Sequence, residues 1–490
     1  MTLPVEPCQP AAQPLRTALE RAGLFTEHQA ASRRWAIGCV SLEVTQRCNL
    51  DCSLCYLSEH SEAVQDYPLE EIYRRIDMIF AHYGKDCDVQ VSGGDPTLRD
   101  HDELEQIVQH IVAKGMRASL FTNGILASRA LLQRLALAGL TDVAFHVDMT
   151  QERIGYNNET DLNALRLEYI ARARGLGVSV FFNTTVFDGN VQDVPMLARF
   201  FAQHSSAVSL ASFQMQADTG RGLLRERPGA LTQQRMMLLL EHGAGTPLNW
   251  DALLGGHPSC NRYAVALVLG KGLSMRLFDL FQDGRFIARA MRETAHISVP
   301  RQSMWKSAFT LTAAVAQRPG LAWSGVRWLG ALTWRLRGHW LAALQGGPRK
   351  ISFFIHNFMN EKDLDPERIA TCVFMAAGPQ GPVPMCEFNA QRDNYLLQPL
   401  ALADGSTWQP LRQLGGAPEN SAQHAVKHVK SPAVSHVASR VVNHVVNHVV
   451  KADAQGLVHF PIKYLKGRSR QNAMTLRKHA RANDTKKETP

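Results

Sequence analysis

Between residues 42 and 213, short apolar runs of strand length alternate with amphipathic stretches whose apolar positions recur at helical spacing. The pattern predicts strands over residues 42–45, 89–92, 118–122, 142–147, 178–185 and 208–213. It predicts helices over 69–82, 102–113, 128–138, 162–174 and 194–203. Such alternation builds βα units around a parallel sheet. Six units make a partial or complete barrel, with chemistry at the C-terminal ends of the strands. After residue 220 the alternation fades into helical periodicity over about 230–345, which ends in a Trp-rich stretch. Residues 350–400 hold a strand-like ISFFI run, two cysteines and several Pro/Gly turns. From about 412 the chain becomes Ala/Val/His/Asn near-repeats (VVNHVVNHVVK) and a basic end, which reads as disordered or weakly helical. The expected organisation is therefore an N-terminal helical extension (1–40), a core barrel (41–220), a helical Trp/Arg-rich region (221–350), a cysteine-containing segment (351–411) and a low-complexity tail (412–490).

Composition sets bounds on this picture. A chain of 490 residues, 45% hydrophobic and 20% charged, is neither disordered overall nor fibrous and can bury a sizeable core. Its net charge of +9 first points to nucleic acid or membrane. Yet residues 421–490 carry 13 Lys/Arg against 3 Asp/Glu, so the rest is nearly neutral. Sequence-specific nucleic-acid binding is not expected of it. Nine cysteines are too few for a disulfide scaffold and three of them cluster, which favours a reducing cytosol and metal chemistry. No secretory signal and no run of ~18 apolar residues is visible, so the expected location is cytoplasmic.

The cluster is VTQRCNLDCSLCYL, with Cys48, Cys52 and Cys55 at C-x3-C-x2-C directly after the first strand. Three thiolates at that spacing can wrap one face of an iron–sulfur cube and leave one iron open for a small chelating ligand. A zinc knuckle would need a fourth ligand, and His60 has no partner nearby in sequence. The second strand ends in VSGGDPTLRD, a plain turn by itself. Polar residues also close the later strands: FTNG, FHVD (His146, Asp148), FFNTTV (Asn183) and SFQMQ (Gln214, Gln216).

On these residues the chain resembles the radical S-adenosylmethionine (SAM) superfamily from 41 to about 215. Gly93, Gly94, Asp95 and Pro96 fall where that family has a Gly-Gly-Glu-Pro turn, with Asp in place of Glu. The resemblance implies a partial (β/α)6 TIM-like barrel and a [4Fe-4S] cluster on Cys48, Cys52 and Cys55. It implies SAM bound at Gly93–Pro96, where a Cβ would collide with the methionine amino group, and by Asp148 and Asn183. It further implies an electron donor such as flavodoxin or ferredoxin, and reductive cleavage of SAM to a 5′-deoxyadenosyl radical that abstracts hydrogen from substrate.

Cys260 in HPSC, with Cys372 and Cys386 in RIATC and VPMC, reads either as three buried thiols or as ligands of an auxiliary iron–sulfur cluster. Together with SFQMQADTGRG and HNFMN, these segments resemble the radical SAM branch that includes archaeal tetraether lipid synthase. That branch's N-terminal cysteine-rich knuckle has no counterpart, since only Cys8 and Cys39 precede the triplet. From Thr294 to Asn360 there is no Asp or Glu, eight Lys/Arg and five of the eight Trp, which suits helices at the boundary of an anionic bilayer or an ordinary helical pair packed on the barrel. The leading expectation is a radical SAM enzyme acting on an aliphatic carbon of a lipid-like or hydrophobic substrate, by C–C coupling or a related modification. It would sit peripherally on the inner membrane face through 294–360. The alternatives are a maturase of a peptide or small polar metabolite, and a non-catalytic iron–sulfur or membrane-associated accessory protein.

Overall fold

The computed structural model describes residues 11–222, 229, 231–270, 272–294, 297, 304–344 and 347–411. The tail expected over 412–490 lies outside the described residues, as does Cys8. Two helices, α1 (Ala12–Arg21) and α2 (Ala31–Arg34), lead in. The six predicted strands then form within a few residues of expectation: β1 (Cys39–Thr45), β2 (Asp88–Gly93), β3 (Arg117–Thr122), β4 (Asp142–His146), β5 (Ser179–Val186) and β6 (Val208–Met215). Between them lie α3 (Leu69–Tyr83), α4 (His101–Ala113), α5 (Arg129–Leu137), α6 (Leu162–Ala173) and α7 (Val194–Gln203). Local chemistry marks the starts: the Asp100 side chain caps α4 at the N–H groups of Asp102 and Glu103, and Ser128 caps α5 at Leu131. All neighbours from β1 to β6 pair in parallel.

The region over 221–350 is mostly helical, as expected, but it and the cysteine segment also supply strands to the sheet. After α8 (Gln233–Ala244) comes an antiparallel hairpin, β7 (Asn261–Leu269) and β8 (Leu273–Arg276). The helices α9 (Leu280–Glu293), α10 (Met304–Ala316), α11 (Pro319–Leu336) and α12 (Trp340–Leu344) follow, and then β9 (Arg349–Asn357). The described part ends in α13 (Pro366–Ala370), β10 (Phe374–Gly378), β11 (Gly381–Pro384), α14 (Met385–Ala390) and α15 (Arg392–Leu396), before a small two-stranded ribbon. One sheet takes in eleven strands in the order β11-β10-β1-β2-β3-β4-β5-β6-β9-β7-β8. Strand β9 extends the parallel barrel from β6, β7 runs antiparallel on β9, and β10 adds in parallel to the free side of β1. The core sheet is thus not confined to 41–220. Pairing partners up to 335 positions apart decide these strands, and local periodicity carries no trace of them.

Residues up to Pro410 form one compact unit. Its core is the layer between sheet and outer helices, where Phe145, Phe182 and Phe201 make ring contacts 5.8 and 5.3 Å apart between β4, β5 and α7. Arg166 of α6 is fully buried and paired with Glu159, and its guanidinium also donates to the carbonyls of Val147 and Glu159 at 2.9 and 2.8 Å. It thereby fixes the loop that leaves β4.

Candidate active site

A cavity of about 510 Å³ occupies the inside of the barrel. The cysteine loop forms its lid at the C-terminal ends of the strands, and Cys48, Cys52 and Cys55 all line it. Ser53 N–H donates to Thr150 O at 2.8 Å, tying the loop to the segment after β4. The Tyr56 hydroxyl donates to Gly93 O at 2.6 Å, tying it to the end of β2. The Asn123 amide reaches Asn49 at 2.6 Å and lies 4.0 Å from Cys48 Sγ.

The glycine turn has a different physical reason from the expected one. Gly93 has φ +133°, and a Cβ there would overlap the Thr45 carbonyl; one on Gly94 would overlap the Arg47 carbonyl. The collision is with the chain's own cysteine loop, which lies flush on the turn through Gly94 N–H to Thr45 O (2.9 Å) and Asp95 N–H to Arg47 O (2.8 Å). Both glycines also line the cavity.

Two expected ligand-facing carboxylates point elsewhere. Asp95 is fully buried and accepts from Thr97 N (3.0 Å), Thr97 Oγ1 (2.5 Å), Thr122 Oγ1 (2.8 Å) and Asn123 N (2.7 Å). Those donors occupy both oxygens and turn them into the protein, so Asp95 clamps the end of β2 to the end of β3. Pro96 begins the turn behind it and does not line the cavity. Asp148 is likewise fully buried, accepting from Thr150 N (2.9 Å) and Thr185 N (2.6 Å) and lying 2.7 Å from His146 Nε2. Burial opposes its ionisation, but the His146 ring, Thr150 and Thr185 outweigh that and hold the carboxyl below its ordinary value. The group presented to the cavity is His146. Asn183 does line the cavity, as do Gln214 and Gln216. Near them the Ser212 hydroxyl, on a residue 4% exposed, lines the cavity without a hydrogen-bond partner.

Several contributors to the site were not singled out from sequence. Gly220 and Gly222, in the TGRG run after β6, back the cysteine loop so closely that a Cβ would strike Tyr56 and Cys55. Between them Arg221 pairs with Glu62 at 3.2 Å, and against the effect of burial the nearby Cys55 helps to raise its pKa. Arg392 of α15 is buried against Glu43 of β1 at 2.7 Å and lies 4.8 Å over the Tyr56 ring. The closely spaced glycines were a readable signal of close backbone approach; the role of Arg392 was not readable. Its partner is 349 residues away.

Cys260, Cys372 and Cys386, read from sequence either as buried thiols or as one ligand group, come from just before β7, just before β10 and from α14. Burial pushes the Cys372 thiol up to about 12, and the nearby Cys386 and Cys260 thiols add to the rise. Arg368 Nε donates to Cys260 Sγ at 3.1 Å, and Met359 N–H to Cys386 Sγ at 3.5 Å. Beside them His356 lines the cavity, stacked on Phe358 at 5.3 Å and edge-on to Phe374 at 4.4 Å. Burial lowers its pKa to about 3.

Residues 42–201 match the radical SAM superfamily. Over 161 residues the chain is 30% identical to Fe-coproporphyrin III synthase of Methanosarcina barkeri, covering 31% of this chain and 38% of that protein. Over 212 residues it is 27% identical to PqqA peptide cyclase of Xanthomonas euvesicatoria pv. vesicatoria, covering 41% and 52%. The crystal structure of Streptococcus suis SuiB bound to precursor peptide SuiA aligns with a TM-score of 0.36 and 15% identity, over 45% of this chain and 51% of that one. The chain thus spans about half or less of the length of these relatives.

The family uses a [4Fe-4S] cluster and SAM, and the donor set here fits them. Burial pushes Cys48 up, and Cys52 well up, the neighbouring Cys55, Asp148 and Cys48 adding to the rise at Cys52. Among the described residues no three His, Cys, Asp or Glu form a single-ion site. The unpartnered Ser212 hydroxyl and the lining Asn183 amide leave polar groups for a ligand in the same cavity. By their matched sequence, residues 42–201 are a radical SAM domain.

Proposed function

We propose that this protein is a radical SAM enzyme in which Cys48, Cys52 and Cys55 hold a [4Fe-4S] cluster, with SAM against the Gly93–Gly94 turn and within reach of Asn183. The observation that carries the reading is the assembly of these groups around one cavity end. When bound, the cluster and SAM supply reductive cleavage of the sulfonium and a 5′-deoxyadenosyl radical able to take hydrogen from an unactivated carbon. The protein's own residues position and enclose. Asp95 and Asp148 fix the rims of β2 and β4 from behind, and Tyr56 fixes the cysteine loop. The barrel walls keep water from the reacting centre. An electron donor of the flavodoxin or ferredoxin type would reduce the cluster. Cys260, Cys372 and Cys386 form the candidate ligands of a second iron–sulfur cluster, with Arg368 and the Met359 amide donating to the sulfurs.

We read the substrate as lipid-like, reached by peripheral contact with a membrane, because the helices between β8 and β9 expose apolar and basic side chains. A peptide substrate is the second reading, favoured by the resemblance to PqqA peptide cyclase. The test is anaerobic reconstitution followed by iron and sulfide analysis and a dithionite assay for 5′-deoxyadenosine. It compares the parent, a Cys48→Ala/Cys52→Ala/Cys55→Ala variant and a Cys260→Ala/Cys372→Ala/Cys386→Ala variant. About four irons should be lost with the first triplet, and nucleoside formed only where that triplet is intact. Iron lost with the second triplet supports the second cluster. A well-folded parent that yields neither iron nor nucleoside overturns the enzyme reading.

A further inference from the structure

The acid-free stretch presents two kinds of tryptophan. Trp328 of α11 stacks on Phe286 at 5.3 Å and lies 6.1 Å from Phe278, joining α11 to α9. Trp323, Trp334 and Trp340 instead stand 66%, 65% and 51% exposed, with Phe309, Leu341 and Leu344 exposed still further at 75% or more. Arg327 on α11 and Arg337 just past its end are exposed, and Arg337 lies 4.1 Å over the Trp334 ring. No Asp or Glu occurs from Thr294 to Asn360.

This face adjoins the far end of the cavity. The lining reaches Asp88, Ser209 and Lys350, which sit in the first two positions of β2, β6 and β9, the end opposite the cysteine loop. Helix α12 runs into β9 after four residues. A side chain on Gly270, in the turn between β7 and β8, would meet Ala342 of α12 at 3.1 Å, and Arg349 donates to the Gly270 carbonyl. Lys350 is exposed beside them.

We propose that the outer face of α10–α12 docks on an anionic lipid bilayer and sets the Lys350 mouth of the cavity toward the headgroups. Charge chooses the occupant. Arginines interleaved with exposed tryptophans and no acid match an anionic interface, where the indole lies at the headgroup level, the aliphatic side chains enter the acyl boundary and the guanidinium meets phosphate. Among the described residues no helix is long and apolar enough to cross a membrane, so contact through this face is in-plane. The inference rests on the lipid-like reading of the substrate and adds to it a route: the substrate enters at the end of the barrel away from the cysteine loop.

The test is hydrogen–deuterium exchange on the full chain, with and without vesicles of equal parts phosphatidylglycerol and phosphatidylcholine. Segments 304–344 and 347–352 should gain protection while 149–157, at the opposite end, does not. In a Trp323→Ser/Trp334→Ser/Trp340→Ser variant, vesicle affinity measured in salt that screens the basic tail should fall roughly tenfold or more. Vesicles of phosphatidylcholine alone should protect 304–344 less. Protection confined to 412–490, unchanged affinity in the variant, or a dimer held by this face in sedimentation without vesicles each overturns the proposal. SAM cleavage is read separately on the same samples: protection without nucleoside defeats the enzyme reading alone, and nucleoside without protection defeats the docking alone.

Discussion

Asp95 stands where the resembling family has glutamate, and the structure shows what its carboxylate does there. It gathers donors from Thr97, Thr122 and Asn123 at the seam between two strand ends. Asp95→Asn turns an NH2 group toward donors and leaves at least one buried group unsatisfied, which should cost about 1–3 kcal/mol in urea unfolding. Gly94→Ala forces a methyl into the Arg47 carbonyl. Overpacking of this kind costs about 1–3 kcal/mol, and here it displaces the cysteine loop, so iron retained after reconstitution should fall while the circular dichroism spectrum stays native. His356 gives a pH prediction. Its native pKa of about 3 lies below the unfolded value of about 6.5, so the unfolded chain binds the extra proton. Its contribution to stability is complete above that unfolded value and is lost progressively as pH falls toward 3. His356→Phe should therefore show a flatter decline of stability between pH 6 and pH 4 than the parent; parallel curves would show that the ring is not buried neutral.

At the scale of elements, what was legible follows from where the information sits. Strands β1–β6 and helices α3–α7 alternate at short range, and each strand pairs with the next in sequence, so period and punctuation suffice. The β7 run NRYAVALVL has ordinary strand composition, but its partner β9 arrives only after four helices, and a reading from local pattern absorbs it into the helical stretch around it. The site divided in the same way. The cysteine spacing and the strand-end polar residues can be read locally because one loop or one turn carries each, whereas the bonds of Asp95 and Asp148 run sideways between strands and leave no local trace. Helix α11 makes a further prediction, since one face packs and the other does not. Trp328→Ala should cost roughly 1–3 kcal/mol of stability and Trp323→Ala within about 0.5 kcal/mol of none, measured as midpoint shifts in urea.

At the scale of the whole molecule, residues from both ends of the described chain line the cavity, Gly38 and Cys39 at one and Met385 and Asn389 at the other. Arg392, buried on Glu43 beneath Tyr56, locks the late segment onto β1. Removing one partner leaves an uncompensated buried charge, so Arg392→Met should destabilise by about 3–5 kcal/mol, and Glu43→Gln/Arg392→Met together should recover part of the loss in a double-mutant cycle. The pairing of β10 on β1 also governs how the protein is made. The outer edge of β1 from Cys39 to Ser41 is satisfied by Phe374–Ala376, which leave the ribosome about 335 residues later, on the order of half a minute at 5–20 residues per second. For that interval the nascent chain carries an open strand edge of the kind that recruits other chains. Translation stalled shortly before residue 374 should give aggregated or chaperone-held product, and the cysteine loop will have emerged long before the last strand that walls its cavity.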